Sequence, residues 1–594
     1  MIKDVRVNPH FQRYGIVENH RAYPTDKEIR IFGGDTETVN GDPWTLQLSN
    51  GDESMIKKIT PKTIFPEMMN WLKPRAREHG VNLVFFHNLN FDLRVLFHEN
   101  LRDIYDQYND IRLKKDGWKI KILFGKVNCA DLTKDGLKIR LLDSMAFCPP
   151  GSRSLKVALK IFGVDGNKLK QPKGLGEKKL WGQDFRTYAL NDAIVEQKLG
   201  VEILALHREY DLTPCISLPM LASRVLRHHF FNDGETFPLP PPECRTAAEL
   251  SYHAGKNGFY VPRGIYERAY EYDINSAFPY AMRLLPQFVR GRYAHTREYQ
   301  KGRVGLYEVS GQVEKTRFPS AWDHSFTALK NTFAPTWVTG FEIELMREDP
   351  AYQFKIHQGW IWEPDERHKH NPLQEFVDRF WHLKNTTPKG PKRDTYKNIL
   401  NSLYGKFAGC VEIRKVHIDA DGNKWPLTQD KFFRAGSMYH PFIASQITGH
   451  VRAILTRLER QGNAMHSATD SIKTLKKLKT SNDLGGLKEE VYGRCYLFRT
   501  KLYLHFAIDN SRCGHDLNKV RIWDTRKGEP RQHLCKFALH GFKGSAEELF
   551  KNRYRLLKEG SLSYSYRHMT GLREGIRRNE KICAMNDRRE TLCL

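Results

Sequence analysis

Apolar and polar residues alternate along Glu28-Ile-Arg-Ile-Phe32, the pattern of a half-buried strand, and run into Asp35-Thr36-Glu37. Val81-Asn-Leu-Val-Phe-Phe86 is a second strand, followed by His87-Asn88-Leu89-Asn90-Phe91-Asp92. The stretches 31–60 and 81–98 each read as strand, turn and helix. A strand over 137–143 is stopped by Pro149-Pro150-Gly151. Over 184–206, Leu190, Ile194 and Leu199 recur among polar positions, which predicts a helix. Prolines from Pro238 to Pro242, interrupted by Leu239, form a stiff, extended boundary. Beyond it the pattern predicts a strand pair (258–274), a mixed aromatic and charged segment (295–367) and one strong helix (371–408). A polar hairpin-like stretch (412–435), a helix (441–461), strands (464–474 and 494–508) and a basic tail follow. Strands alternating with helices, with carboxylates at strand ends, predict α/β or α+β modules.

Composition narrows the class. The 594 residues suggest about three to five domains, and an apolar fraction of 40% supports packed cores rather than disorder. The net charge of +26 makes phosphate backbones the expected counter-surface, ahead of acidic membranes or a merely solubilising surface. No apolar run approaches 18 residues and the first 30 residues lack a signal-peptide core, so a cytoplasmic protein without a membrane partner is expected (the host cytoplasm if viral). The ten cysteines show no CxxC spacing and are expected as reduced, mostly buried thiols.

Asp35 and Glu37, at i and i+2 of a strand, point to the same side and repel unless a cation lies between them; a divalent ion takes such hard oxygens. Asp92 follows the second strand, and Tyr188 and Asp192, at i and i+4, share one helix face. Four carboxylates from three elements suit two metals, one preparing a water and the other stabilising a leaving 3′ oxygen, with Tyr188 orienting the water. In Lys397-Asn-Ile-Leu-Asn401-Ser-Leu-Tyr404-Gly405-Lys406, a helix puts Lys397, Asn401 and Tyr404 on one stripe, with Tyr396, Leu400, Leu403 and Phe407 on an apolar stripe beside it. That suits a nucleotide, with Lys397 for the triphosphate, Asn401 as a polar contact and Tyr404 stacked at the base pair. Lys384, Lys392 and Arg393 deepen the positive field.

DTET, NLNFD and YALND, in this order, resemble the three exonuclease motifs of family B DNA polymerases. Tyr272-Asp273-Ile274-Asn275-Ser276-Ala277-Phe278-Pro279, KxxxNSLYG and Ala468-Thr469-Asp470 resemble motifs A, B and C of the same family. The resemblance implies a multidomain α+β fold, with an RNase H-like 3′→5′ exonuclease domain and a right-hand palm, fingers and thumb carrying two insertions. It divides the chain into an N-terminal extension (1–30), the exonuclease (31–200), linker and palm with motif A (201–295), a first insertion (296–370), fingers (371–408), palm with a second insertion at about 411–436 (409–510), and thumb with basic tail (511–594). It implies Asp35, Glu37, Asp92 and Asp192 as ligands of one Mg²⁺ pair. Asp273 and Asp470, assisted by the Ile274 carbonyl, would hold another, with Mn²⁺ as the substitute. Ser276, Ala277 and Phe278 would contact the nucleotide, the Phe278 ring lying under the sugar and excluding a 2′ hydroxyl by size. Asn88, Phe91 and Ser144 would hold a frayed single strand. Lys501-Leu-Tyr503 resembles the KxY motif at the primer end, and Tyr252-His-Ala-Gly255 a linker motif that contacts DNA. A catalytic lysine is expected at Lys170 or Lys173.

The compact length and the two insertions resemble the protein-primed branch found in viruses, phages and linear mobile elements. The resemblance therefore implies a monomer acting on DNA template and primer with dNTPs, a terminal priming protein as partner, and processive, strand-displacing synthesis. One departure stands out. Motif C of the family carries two aspartates, and here the first is Ala468. The competing readings are a primer-independent polymerase of the same superfamily, an exonuclease whose polymerase half only binds DNA, and a non-catalytic basic binding protein.

Overall fold

The computed structural model describes residues 29–559, with the exception of 126, 150–153, 167, 170–180, 315, 323–327, 330, 420–421, 428–431, 509–522, 525–531, 541 and 543, together with the short strand Val5–Arg6. Most of the expected N-terminal extension and of the basic tail lies outside the described residues. The chain forms two compact units. One comprises 1–234, 378–406 and 410–437, and the other 235–377, 407–409 and 438–594.

The first unit is built on a ten-stranded mixed sheet. Its centre is parallel: Ile29–Val39 pairs with Val81–Phe86, which pairs with Leu137–Asp143. The 31–60 stretch is not strand, turn and helix but a meander of Ile29–Val39, Asp42–Ser49 and Ser54–Lys58. The reason is the Asn40-Gly41 corner. Both residues have positive φ (55° and 88°), the backbone of a two-residue hairpin turn. The helix Gln183–Glu209 lies against the strand Ile29–Val39, and glycine permits the closeness: a Cβ on Gly33 would sit 2.0 Å from the Ala193 carbonyl oxygen. The strand Lys415–Ile418, from the stretch expected as the second insertion, extends this sheet by pairing in parallel with Asp110–Lys115. Val416 and Ile418 are buried in the same core as Ile111 and Leu113.

The single helix expected over 371–408 is two helices, Pro372–Thr386 and Pro391–Ser402, followed by a 3-10 turn, Tyr404–Lys406. Pro388 and Pro391 offer no backbone N–H, and a proline disfavours helical geometry in the residue before it, so the chain breaks between them.

The second unit carries an eight-stranded antiparallel sheet. Its order is Asn257–Phe259, Ala464–Ala468, Ser471–Thr474, Gly264–Ile274, Leu487–Arg499, Leu502–Ala507, Gln532–Leu539 and Trp523–Asp524. The expected pair within 258–274 is not a hairpin. The two strands belong to one sheet, but the Ala464–Ala468/Ser471–Thr474 hairpin inserts between them, and the Tyr260 N–H, donated to Met465, extends the first strand's pairing with that hairpin. The segment 494–508 is likewise two antiparallel strands. The 295–367 segment contributes to a separate four-stranded sheet with the helix Gly340–Glu348. The long helix Pro441–Gly462 is held by buried ion pairs. Arg452 donates to Glu342 at 2.8 and 3.0 Å, and Lys256 pairs with Glu459.

Six described cysteines are free thiols, but Cys535 on the strand Gln532–Leu539 is disulfide-bonded. This corrects the expectation of reduced thiols for that residue; a scan for close cysteine spacing does not detect such a pairing. Among the described residues no helix is long and apolar enough to cross a membrane.

Candidate active sites

The first site forms where the strand Ile29–Val39, the helix Leu89–Leu96 and the helix Gln183–Glu209 meet. Asp35 and Glu37 leave one side of the strand, as a period of two requires. Asn88 takes a left-handed conformation (φ 66°) and donates its N–H to Asp143 at 3.0 Å, which starts the helix carrying Asp92. Thr36 donates its hydroxyl to Asp92 at 2.7 Å. Burial pushes each carboxyl toward its protonated form, opposed at Asp192 by Lys168 and at Asp92 by the Thr36 hydrogen bond, and reinforced at Asp35 and Glu37 by neighbouring carboxylates. Asp35 is raised well above the usual carboxylate range, with Asp92, Glu37 and Asp192 all contributing. Glu37 rises to about 7 and Asp92 to about 8. The cluster thus concentrates negative charge out of water, which a bound cation would relieve. Asp192 fits the same demand, since its Oδ1 is buried and accepts no hydrogen bond among the described residues. Tyr188 donates its hydroxyl to Glu37.

Lys170 and Lys173, between which the sequence left the choice open, lie outside the described residues. Lys168, two positions earlier, is described, and its ammonium lies 3.3 Å from Asp192. Phe91 is 43% exposed, so its ring is reachable from solvent. Ser144 is placed differently. It is fully buried, and its hydroxyl is bonded to His87 at 2.9 Å, so it braces the site from within rather than presenting itself to a strand. Beside it Glu196, one turn beyond Asp192, is a further buried carboxyl that burial pushes well up.

The second site forms in the eight-stranded sheet. Asp273 pairs with Ser471, and Ile274 donates its N–H to the Asp470 carbonyl at 2.9 Å, so two carboxylates nearly 200 positions apart become neighbours. Burial first, then Asp273, raises Asp470 to about 6. The Lys536 ammonium lies 3.2 and 3.3 Å from the two oxygens of Asp273 and 3.1 Å from Glu271, a cation already drawn to the place where a metal would bind. Ala468 closes the hairpin without a carboxylate. Thr469 there has φ 65°, and Asp470 donates its N–H to Ala468. Gly255 is required beneath this turn: a Cβ on it would lie 2.7 Å from the Thr469 methyl. Tyr252 is buried, and Gly255 packs beneath the Thr469 turn, so neither residue of the linker motif is openly exposed.

Lys501 (φ 55°) turns the chain between its two strands and feels the charge of Asp470. Tyr503 is buried, its hydroxyl donated to Glu271 at 3.1 Å. Glu271 is the hub. Although burial raises a carboxyl, Lys473, Lys536 and His505 hold this one well below its ordinary value. Asn275 and Ser276 shape the turn after Asp273; Asn275 donates to Ser481 at 3.0 Å, and Ser276 (φ 49°) precedes the helix Ala277–Arg283, on which Phe278 is buried.

In the first unit, Tyr396, Leu400 and Leu403 are buried and Lys397 is exposed, as the stripes predict. Asn401 is half-buried on the same helix, and Tyr404 sits in the 3-10 turn after it. Lys384, at the end of the preceding helix, is lowered to about 8, by burial first and then by Lys397 and Arg393. Three cations crowded together in this way would be relieved by an anion.

The family model for type B DNA polymerases, organellar and viral, matches residues 183–430. A probable DNA polymerase of Neurospora intermedia is 25% identical over 234 residues, covering 36% of this chain and 23% of its own length. The primer-independent DNA polymerase PolB of Escherichia coli is 25% identical over 312 residues, covering 49% of this chain and 33% of its own. The chain thus matches about a quarter to a third of the length of these curated relatives. Phi29 DNA polymerase, solved with primer-template DNA, superposes with a TM-score of 0.63 at 16% identity over 88% of this chain and 93% of that one. Motif order and paired carboxylates resemble those of family B DNA polymerases, and the fold is similar to that of phi29 DNA polymerase. Within that class, the similarity is to the organellar and viral type, over residues 183–430.

Proposed function

We propose that the protein is a DNA-directed DNA polymerase with a separate 3′→5′ exonuclease, and that it starts synthesis on a protein hydroxyl. The observation that carries the reading is the juxtaposition of Asp273 and Asp470 in one antiparallel sheet, with a second, independent carboxylate cluster in the other unit. Mg²⁺ pairs held by Asp273 and Asp470, and by Asp35, Glu37, Asp92 and Asp192, would lower the pKa of the attacking hydroxyl or water and neutralise the phosphate charge. The chain's own residues do the rest. Lys536 holds Asp273 in a charge-assisted contact, and Lys501, which feels the charge of Asp470, would meet the primer end. In the exonuclease, Tyr188 and Lys168 hold Glu37 and Asp192 in place, and Phe91 offers a stacking face to an unpaired 3′ nucleotide.

Lys384, Arg393 and Lys397 are assigned to the triphosphate. A lysine whose folded-state pKa is lowered to about 8 keeps its proton at pH 7 and loses it as pH rises past that value. The KM for dNTP is therefore expected to rise several-fold between pH 7 and 9. Lys384→Arg, which stays charged throughout, flattens that profile; an unchanged slope in steady-state kinetics would remove Lys384 from nucleotide binding. At the sugar, the Phe278 ring acts by size, so Phe278→Val is expected to raise ribonucleotide incorporation about tenfold or more, a steric gain worth about 1.4 kcal/mol. An unaltered dNTP/rNTP ratio in competitive extension would refute the assignment.

Initiation has a second reading, because one relative, matched over 49% of this chain, is a primer-independent DNA polymerase. Incubation with dNTPs, Mg²⁺ and either primed or bare template separates the possibilities. Extension of the primed template alone, with no product on the bare one until a terminal protein is supplied, supports protein priming. Synthesis on the bare template without a partner supports the other. No extension of either template would leave only the exonuclease.

A further inference from the structure

We propose that Glu235, His368 and His370 form a binding site for a divalent transition-metal ion of the Zn²⁺ class, sharing no residue with either carboxylate centre. Each offers one donor atom, and the three atoms lie within 4.8 Å of one another. His370 Nδ1 is 2.7 Å from one Glu235 oxygen, and His368 Nε2 is 3.1 Å from the other. A tetrahedral ion with bonds of about 2.0 Å spaces its ligands about 3.3 Å apart, so these donors are already close to the required spread. Two imidazoles and a carboxylate form a borderline-soft set that favours zinc over magnesium, whereas the active-site clusters are all oxygen.

Burial supports the assignment. Glu235 is only 6% exposed, and a desolvated carboxylate needs a positive partner. His368 Nε2 is buried and makes no hydrogen bond among the described residues, although the carboxylate is within reach. Its lone pair is available for a metal. The scaffold is also set in advance. His368 donates its N–H to Asp365 at 3.0 Å, Asp365 donates to Arg290 at 3.0 Å, and the Asn371 amide donates to Leu285 at 2.9 Å, so the stretch bearing both histidines is pinned on either side. On the far side of the His370 ring, Nε2 lies 3.5 Å from Glu375, the carboxylate–imidazole arrangement that orients metal-binding histidines. Such an ion would fasten the start of the second unit to the stretch between the strand Tyr352–Pro364 and the helix Pro372–Thr386.

The test uses the full chain, stripped with a chelator and then given one equivalent of Zn²⁺ in excess Mg²⁺. One zinc per chain is expected to survive gel filtration, and the Co²⁺-loaded protein to show the visible absorption of a tetrahedral site with nitrogen ligands. His370→Ala is expected to lose zinc affinity at least about 100-fold and Glu375→Gln about tenfold. Asp35→Ala/Glu37→Ala and Asp273→Ala keep the zinc. A wild-type chain that retains none, or a His370→Ala chain that retains it equally, overturns the proposal, as does loss of zinc on Asp273→Ala alone. Should His370→Ala fail to fold, the wild-type Co²⁺ spectrum and the milder His368→Gln decide: a featureless spectrum or unchanged affinity overturns it.

Discussion

Asp273→Ala is expected to lower primer extension by at least about 10³-fold while leaving degradation of single-stranded DNA intact. The carboxylate lies beside Asp470 and is gripped by Lys536. Alanine removes a negative charge from the point where metal and triphosphate must be balanced, and it leaves Lys536 to answer Glu271 alone. Because Ala468 has already removed one carboxylate from the motif C hairpin, no neighbour on that turn substitutes for the loss. Single-turnover extension of a primed template measures the effect. Retained extension would place the chemistry elsewhere, and equal loss of both activities would mean a shared site or a collapsed fold.

Asp35→Ala combined with Glu37→Ala is expected to do the reverse, with 3′→5′ degradation falling at least about 10³-fold and extension unchanged. These two residues leave the same side of one strand, and both are pushed up by burial and by Asp192. Losing them removes half of the negative set and the acceptor of the Tyr188 hydroxyl. The replaced groups are costly ones, buried carboxyls that repel one another, so the folded chain is expected to survive their loss. Digestion of an end-labelled single strand by the double variant reads the loss directly. Persistent digestion would show that the cluster is not the nuclease.

Pairs set by local geometry were legible in the sequence. Asp35 with Glu37 follows from the period of a strand, Tyr188 with Asp192 from a helix turn, and the buried face of Tyr396, Leu400 and Leu403 from the same rule. The motif order also pointed to Asp273 and Asp470. What local reading missed had local causes where prolines or a hairpin corner broke a pattern, as at Pro388, Pro391 and Asn40-Gly41.

The remainder was decided only by the assembled chain. Lys536 reaches Asp273 across 263 positions because of the strand order of one sheet, and nothing near either residue announces it. Ser144 looked like a surface contact until its burial was known, and Glu235 meets His368 and His370 only once the intervening sheet has folded. Spacing along the chain encodes neighbours within a turn or a strand, so the sequence by itself determined which carboxylates share a strand or a helix face and which chemistry they were proposed to serve. Partners brought together by long-range strand pairing depend on the burial energy of the whole core, and only the tertiary structure selected them.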